Sequence, residues 1–361
     1  MYISYCNKSC ARKTLLLLSY RGLTDGIIKP VKDNKRPTIM DVARIAGVSY
    51  QTVSRVVNQH PHVSAETRQS VQAAIQTLGY HPNKSAAHLA SKRTQMIAVV
   101  MFGGDYFGPS RMALGIEEAA REAGYDVIFS NIANTHDALL TTVQNLNGWR
   151  VDGILMIVPV EGLTYTELRD IAPQVPIVQI DGSRDPNIPS VVIDDEAGMR
   201  VALQHLLDLG HTRFVEISGP QNWFSAQVRH RVCVEMLRDC DLIASLESDW
   251  TAAGAYHAAQ LLDDGFTAVV AANDQMALGV LRALREKGLR APDDVSVIGY
   301  DDIPEAPYYS PPLTTVRQDF NQMGIVGIEY LLQLLADPDT PIQQHRITPD
   351  LVIRGSTVRV L

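Results

Sequence analysis

Cysteine is scarce in this chain of 361 residues, which contains only Cys6, Cys10, Cys233 and Cys240. A metal site built on cysteine needs further ligands at close spacing, and neither pair of cysteines has them. We therefore interpret the cysteines as reduced thiols with structural or incidental roles. We expect neither a bound metal nor a cofactor.

Long apolar runs are also missing from the sequence. The longest one near the start, Leu15–Leu18, is too short for a secretory signal core, and no run reaches the length of a membrane span. We therefore expect a cytoplasmic protein. Residues 1–34 match nothing that follows, and we interpret them as a disordered extension or as the product of a misassigned upstream start.

The motifs of common enzyme classes are absent as well. The chain has no glycine loop that cradles phosphate, no metal-binding triad and no nucleophile elbow. Asp181 and Asp301 could in principle act as paired carboxylates, but no other signal points to catalysis. We expect no enzymatic activity.

A helix-turn-helix pattern is present at Thr38–Asn58. Thr38 and Ser49 are favourable cap residues for two short helices, and Gly47 between them allows the chain to reverse. Apolar residues at helical spacing form one face of each helix, as they would in any helical hairpin. The outer face of the second helix carries polar residues that can contact base edges or phosphate, and it therefore favours DNA binding: Tyr50, Gln51, Ser54, Arg55 and Asn58.

A third helix, capped by Ser64, closes a small apolar core, so residues 35–80 are predicted to form a DNA-binding domain. Residues 81–93 follow as a short basic hinge segment that needs DNA or a partner copy to order as a helix. Residues 35–93 carry eight Lys or Arg against two Asp or Glu, a net charge of +6, whereas residues 94–361 carry 18 against 36, a net charge of −18. A basic head and an acidic body suit binding to a phosphate backbone.

The body, residues 94–356, alternates between apolar strands and helices. Strands this apolar, separated by helices, indicate parallel sheets that are covered on both faces. The predicted fold is an all-α helix-turn-helix headpiece followed by an α/β body of two doubly wound parallel-sheet lobes. The strands expected from their apolar character include 95–102, 153–158, 176–180, 268–272 and 295–299.

Polar side chains follow three of these strands. Asp181 follows strand 176–180, Asn273 and Asp274 follow strand 268–272, and Tyr300, Asp301 and Asp302 follow strand 295–299. Each residue by itself is as consistent with a role in capping the next helix or turning the chain as with a role in ligand binding. Together they predict a ligand cleft at the carboxyl ends of the strands, where hydroxyls of a neutral polyhydroxylated ligand donate to carboxylates and an aromatic face packs on its ring.

Six segments together resemble the lactose repressor and galactose repressor (LacI/GalR) family of transcriptional regulators, over about Arg36–Arg354. The segments are TIMDVARIAGVSYQTVSRVVN, HVSAETR and GYHPN in the head, and ANDQMALG, GYDD and PPLTTVRQDF in the body. The head is most similar to the lactose repressor branch. The resemblance implies a body like a periplasmic binding protein that binds effector and dimerises, with an N-lobe at about 94–193 and 318–345 and a C-lobe at about 194–317 and 346–356.

The resemblance also implies roles for residues of the head. Tyr50, Gln51 and Arg55 would read base edges in the major groove, and Leu89 of each subunit would wedge into the minor groove at the centre of a palindromic operator. The remaining DNA contacts, mainly to the backbone, would come from Ser49, Thr52, Asn58, His62, Ser64, Thr67 and Asn83.

In the body, the resemblance implies hydrogen bonds from sugar hydroxyls to Asp181, Arg229, Asn273 and Asp301, with Trp250 and Phe320 packed on the ring and Ser225 beside them. An arginine on a helix is usually a solvated charge. The position of Arg229 in SAQVRHR, after the GPQNW segment, favours the ligand role.

The chain departs from the lactose repressor pattern in two respects. It ends soon after VIRGSTV with no leucine heptad tail, so we expect a homodimer and not a tetramer. Trp223, Phe224 and His230 differ from the pattern around the pocket, which leaves the identity of the effector open.

The expected function is that of a repressor of a carbohydrate-utilisation operon, which leaves its operator when a sugar, in particular a galactoside, binds. The alternatives are a corepressor-type regulator that responds to a purine or another metabolite, and a sugar-binding protein without DNA binding.

Overall fold

A computed structural model of the chain describes residues 37–58, 60–81, 93–159, 164–181 and 187–360. The chain divides into two compact units, Met1–Lys84 and Ser85–Leu361. The predictions for residues 1–34, and those for Asn83 and Leu89 in the hinge, lie outside the described residues.

Within its described residues, the first unit contains three helices, α1 (Ile39–Ala46), α2 (Tyr50–Val57) and α3 (Ala65–Leu78). Each begins at a hydroxyl cap, because the side chains of Thr38, Ser49 and Ser64 accept hydrogen bonds from backbone N–H groups of the first turn. The left-handed Gly47 (φ 67°) ends α1. A small core of Val42, Ala43, Val53, Val56, Val71, Ala74 and Tyr80 holds the helices together. The predicted helix-turn-helix headpiece is confirmed.

The second unit contains two six-stranded sheets. The first sheet has the order β11-β5-β4-β3-β1-β2, and all its strand pairs are parallel. Its strands are β1 (Met96–Met101), β2 (Asp126–Asn131), β3 (Gly153–Ile157), β4 (Ile177–Ile180), β5 (Ser190–Ile193) and β11 (Gln344–Ile347). Its helices are α4 (Phe107–Glu122), α5 (His136–Gly148), α6 (Tyr165–Ile171) and α11 (Phe320–Ala336).

The second sheet has the order β12-β10-β9-β8-β6-β7 and is parallel except for the pair of β10 and β12. Its strands are β6 (Arg213–Ser218), β7 (Asp241–Glu247), β8 (Ala268–Ala271), β9 (Ser296–Asp301), β10 (Thr314–Arg317) and β12 (Asp350–Val352). Its helices are α7 (Asp195–Asp208), α8 (Phe224–Met236), α9 (Ala252–Gln260) and α10 (Asp274–Glu286), with a short 3-10 turn at Ala306–Tyr308.

Both faces of each sheet are buried. In β1, Ile97 and Val99 belong to one apolar cluster, whereas Ala98 and Val100, which point to the opposite face, belong to another. The second sheet is likewise packed between two clusters. The prediction of two doubly wound parallel-sheet lobes is confirmed, with β12 as an antiparallel edge strand.

The chain passes between the lobes three times, after β5, after β10 and after β11. Strand β11 continues to Ile347 within the first sheet. Residues 346–347 therefore belong to the N-lobe, whereas the resemblance assigned them to the C-lobe. The last crossover is the two-residue segment Thr348 and Pro349.

Several elements had no clear signal in the sequence. Strand β7 lies at a sheet edge and alternates between exposed and half-buried residues, and β5, β10 and β11 have only four residues each. Helix α6 spans seven residues. The sequence also indicates a last strand at VIRGSTV, but only its first residue, Val352, lies in a strand, at the end of β12. Among the described residues, no helix is long and apolar enough to cross a membrane.

Candidate functional site

Helix α2 presents one polar and one apolar face. Val53 and Val56 are buried against α1 and α3, whereas Tyr50, Gln51 and Arg55 are exposed. An exposed amide and guanidinium on one helix face can each make paired hydrogen bonds to a purine edge in the major groove. The geometry therefore leaves these three side chains free of core packing.

The other head residues named from the sequence lie around α2 and the start of α3. Ser49 and Ser64 also cap helices, since their Oγ atoms accept hydrogen bonds from Thr52 N and Thr67 N at 3.2 Å each. Asn58, at the end of α2, and His62, before α3, are exposed. Every one of these groups keeps hydrogen-bonding capacity for a phosphate.

All seven effector residues named from the sequence line one cavity between the two lobes of the body. The cavity encloses about 450 Å³, including its open mouth. Each residue lies at or just after the carboxyl end of a strand, or on the helix that follows: Asp181, Ser225, Arg229, Trp250, Asn273, Asp301 and Phe320. Open parallel sheets bind ligands at this position, outside the carboxyl ends of their strands.

Arg229 is not a solvated charge. It is only 5% exposed, and its Nε donates to Asp195 Oδ1 at 2.7 Å while Nη1 donates to the Ala272 carbonyl at 2.7 Å. Its guanidinium also lies 3.7 Å from the centre of the Tyr300 ring. Burial by itself lowers the pKa of Arg229, but the charge of Asp195 and the hydrogen bond to it, together with Tyr300 and Asp301, raise it above the ordinary value. Arg229 is therefore a fixed positive charge in the cavity wall.

Asp181 and Asp301 are the other charged groups of the cavity. Burial and the nearby charge of Asp195 raise the pKa of Asp181 to about 7, although Arg229 opposes the shift. Burial likewise raises the pKa of Asp301 to about 7, although Arg229 and a hydrogen bond from Gln318 Nε2 lower it. One arginine, already paired with Asp195, does not neutralise two further carboxyl groups. Donors from a ligand would stabilise their ionised forms.

Asn273 both caps a helix and lines the cavity. Its Oδ1 caps α10 by accepting from Met276 N at 2.7 Å, and its Nδ2 donates to the Trp250 carbonyl at 3.1 Å. One N–H and one lone pair of the amide remain for a ligand. Asp274, which follows Asn273, and Asp302, which follows Asp301, make structural contacts instead.

Asp274 accepts from Ile303 N at 2.8 Å and from Thr315 Oγ1 at 2.5 Å, and Asp302 forms ion pairs with Arg317 and Arg354. Neither lines the cavity. These two acids therefore hold neighbouring elements together, whereas the cap of the helix is Asn273.

The cavity walls are aromatic. Trp223 and Trp250 meet edge to face at 6.1 Å between ring centres, and Phe107 and Phe320 do so at 5.8 Å. The six-membered ring of Trp250 lies against Gly219, where no larger side chain would fit. Trp250 Nε1–H is buried and has no acceptor among the described residues. A bound oxygen would satisfy that donor.

Seven lining residues were missed in the sequence, namely Tyr106, Phe107, Gly108, Pro109, Met112, Gln275 and Gln318. Tyr106 and Phe107 follow β1, and Gln318 lies in the second crossover. The only available signal was the position of Tyr106 and Phe107 just after an apolar strand. Among the described residues no group of three or more His, Cys, Asp or Glu could hold a metal, and Cys233 and Cys240 are free.

Two family descriptions match the chain. Residues 38–83 match "Bacterial regulatory proteins, lacI family", and residues 203–357 match "Periplasmic binding protein-like domain". The lactose operon repressor of Escherichia coli (strain K12) is 39% identical over 331 residues, which are 90% of this chain and 91% of that protein. The HTH-type transcriptional repressor PurR of Haemophilus influenzae (strain PittEE) is 33% identical over 90% of this chain and 99% of that protein.

A solved structure agrees with these relatives. The lac repressor dimer bound to operator and the anti-inducer ONPF has a TM-score of 0.83 and 37% identity, and the match covers 90% of this chain and 100% of that one. The relatives are transcriptional repressors, so the expectation of no enzymatic activity is confirmed. The chain belongs to the LacI family of bacterial transcriptional repressors.

Proposed function

We propose that the protein represses a carbohydrate-utilisation operon from the cytoplasm, as a homodimer on a palindromic operator, and that a neutral sugar in the cavity releases it from DNA. A galactoside is the sugar we favour. The curated relative with 39% identity is a lactose operon repressor, and the operator-bound lac repressor in the solved structure is a dimer. A two-fold protein suits a palindromic site.

The observation that carries the sugar assignment is the composition of the cavity. Asp181 and Asp301 face it without a counter-cation of their own, a fixed Arg229 lines the same cavity, and Trp250 and Phe320 supply flat apolar surface. Sugar hydroxyls donate to carboxylates and accept from a guanidinium, and the apolar face of a pyranose packs on an aromatic ring. An anionic ligand would instead meet two carboxyl groups.

On DNA, we propose that Tyr50, Gln51 and Arg55 read base edges and that Ser49, Thr52, Asn58, His62, Ser64 and Thr67 contact the backbone. Asn83 and Leu89 would act from the hinge. The support is the exposure of the outer face of α2 and the net charge of +6 over residues 35–93. Release then follows from linkage, since a ligand that prefers the arrangement with weaker operator binding must weaken that binding by the same coupling free energy.

A corepressor that responds to a purine is the second candidate, because PurR is 33% identical over 90% of the chain and the aromatic walls could stack on a flat base. Fluorescence anisotropy with a labelled palindromic operator distinguishes the two. Methyl β-galactoside should lower operator affinity of the full chain, and Arg229→Ala should abolish the response while operator binding persists. Tighter operator binding on addition of adenine, guanine or hypoxanthine, with no response to sugars, would favour the corepressor.

A further inference from the structure

Strand β6 places a carboxyl group in an apolar layer of the C-lobe. Alternate residues of a strand point to the same face, so Glu216 lies on the face of β6 that carries Phe214. Phe214 belongs to the apolar cluster between the second sheet and the helices α7 and α8. Glu216 is only 2% exposed. An ionised carboxylate at such a position is costly unless other groups pair with it.

Two side chains from neighbouring elements contact Glu216. Ser245 Oγ, on β7, donates to Glu216 Oε2 at 2.6 Å, and His230 Nδ1, on α8, lies 2.8 Å from the same oxygen. An ionised Glu216 accepts hydrogen bonds from both groups. Burial raises the pKa of Glu216, whereas the hydrogen bond from Ser245 and the charge and hydrogen bond of His230 lower it. His230 therefore joins α8 to the sheet through a directional polar contact.

His230 directly follows Arg229 on α8. Consecutive side chains of an α-helix point about 100° apart, so these two reach different parts of the lobe. Arg229 donates to Asp195 of α7 and to the Ala272 carbonyl after β8, whereas His230 contacts Glu216 of β6. Two buried carboxyl groups thus hold α8 in two directions. A rotation of α8 about its axis would distort both contacts.

The contact between Glu216 and His230 lies outside the cavity. Neither residue lines it, whereas Arg229 and Ser225, one turn earlier on α8, both do. On its sheet side, α8 also packs through apolar side chains such as Val232. Apolar packing is non-directional, but a hydrogen bond weakens steeply when its angle changes. The polar contact therefore fixes the orientation of α8 more strictly than the apolar contacts do.

We propose that Glu216, through His230, positions Arg229 for the effector, so that both act as positioning residues of a cavity that neither of them touches. The inference rests on the proposed function, because it concerns the response to the same ligand. His230 is one of the residues at which the chain departs from the lactose repressor pattern, so the resemblance assigns it no role. Loss of the contact lets α8 shift and weakens the hydrogen bonds from Arg229 to the ligand.

Calorimetric titration of the full chain with methyl β-galactoside tests the inference. His230→Leu removes the donor to Glu216 and should weaken binding about tenfold, through a displaced hydrogen bond from Arg229. His230→Asn retains an amide donor near the position of Nδ1 and should recover most of the affinity. Glu216→Leu should weaken binding as much as His230→Leu, although it puts an apolar side chain in an apolar layer and need not lower the Tm.

Ser245→Ala is the matched control. It removes a hydrogen bond to the same carboxylate oxygen, but from β7, so it should lower the Tm and leave the affinity for methyl β-galactoside unchanged. Hydrogen exchange of the ligand-free chain gives a second readout. Backbone amides of residues 224–236 should exchange faster in His230→Leu than in Ser245→Ala, because only the first variant releases α8.

Unchanged affinity in His230→Leu, or an equal loss in Ser245→Ala, would overturn the inference and leave the proposed function standing. Glu216→Leu replaces His230→Leu in both measurements if the latter does not fold. If the wild type binds no methyl β-galactoside, the proposed galactoside response is wrong, and hydrogen exchange decides the inference by itself. Equal exchange rates of α8 in the two variants would then overturn it.

Discussion

Replacing Arg229 with methionine removes the positive charge from the wall of the cavity between the lobes. Arg229 and Asp195 form an ion pair at 2.7 Å, and their side chains are 5% and 9% exposed. The substitution leaves the Asp195 carboxyl group buried without its cation and the Ala272 carbonyl without its donor. Both groups then carry a desolvation cost that no new contact offsets.

The size of the effect follows from this burial. Breaking a buried ion pair by removing one partner costs about 3–5 kcal/mol, because the remaining charge is uncompensated. In a unit of this size a loss of about 3 kcal/mol lowers the Tm by about 6–12 °C. The double variant Arg229→Met/Asp195→Leu removes the stranded charge as well. It should lose only about 1–2 kcal/mol, mostly from the unsatisfied Ala272 carbonyl.

Thermal unfolding of the full chain, followed by circular dichroism without ligand, measures these differences. Arg231→Met is the control, since Arg231 lies on the same helix but pairs with Glu196 and Glu235 at the surface and should change stability by less than about 1 kcal/mol. The reasoning is refuted if Arg229→Met lowers the Tm by less than about 2 °C. It is also refuted if the double variant is no more stable than the single one.

Three further predictions concern pH and DNA. Because the pKa values of Asp181 and Asp301 are about 7 and sugar hydroxyls donate to their ionised forms, galactoside affinity measured by calorimetry should rise from pH 6 to pH 8, and Asp301→Asn should weaken binding and flatten this dependence. Burial lowers the pKa of His205 and of His211, so their contribution to stability is present above the ordinary pKa of 6.5 and is lost as the pH falls below it; thermal melts between pH 7.5 and pH 5 should show a smaller loss in His211→Gln than in the wild type. Arg55→Ala should weaken binding to the preferred operator by about 1–3 kcal/mol in anisotropy titrations, through a lost base contact, and an equal loss on unrelated DNA would assign Arg55 to the phosphate backbone instead.

The head could be predicted almost completely because its signals are local. Thr38, Ser49 and Ser64 cap helices through atoms only three residues away, and Gly47 turns the chain by its own conformation. The buried strands of the body were also predictable, since β1 and β3 are apolar along their whole length. Strand β7 was missed because an edge strand with half-buried side chains has no continuous apolar run.

The candidate site was predictable in part. The strand ends and the family resemblance led to seven of the residues that line the cavity, but the sequence could not separate Asn273 from Asp274. The two are adjacent, and only the packing of α10 against β9 and β10 directs Asp274 toward Ile303 N and Thr315 Oγ1. Tyr106 and Phe107 lie in the N-lobe with Asp181 and Phe320, but neither the polar strand ends nor the segments of the family resemblance include them.

By itself, the sequence determined the helix-turn-helix, the opposite charges of head and body, the doubly wound lobes and the family, because cap residues, helical spacing and apolar strands act over a few residues. Only the tertiary structure decided that Arg229 is buried against Asp195, a partner 34 residues earlier in the chain, and that Asp181 and Ser225, from different lobes, line the same cavity. Those contacts depend on how the chain crosses between its lobes. No local pattern of residues encodes that path.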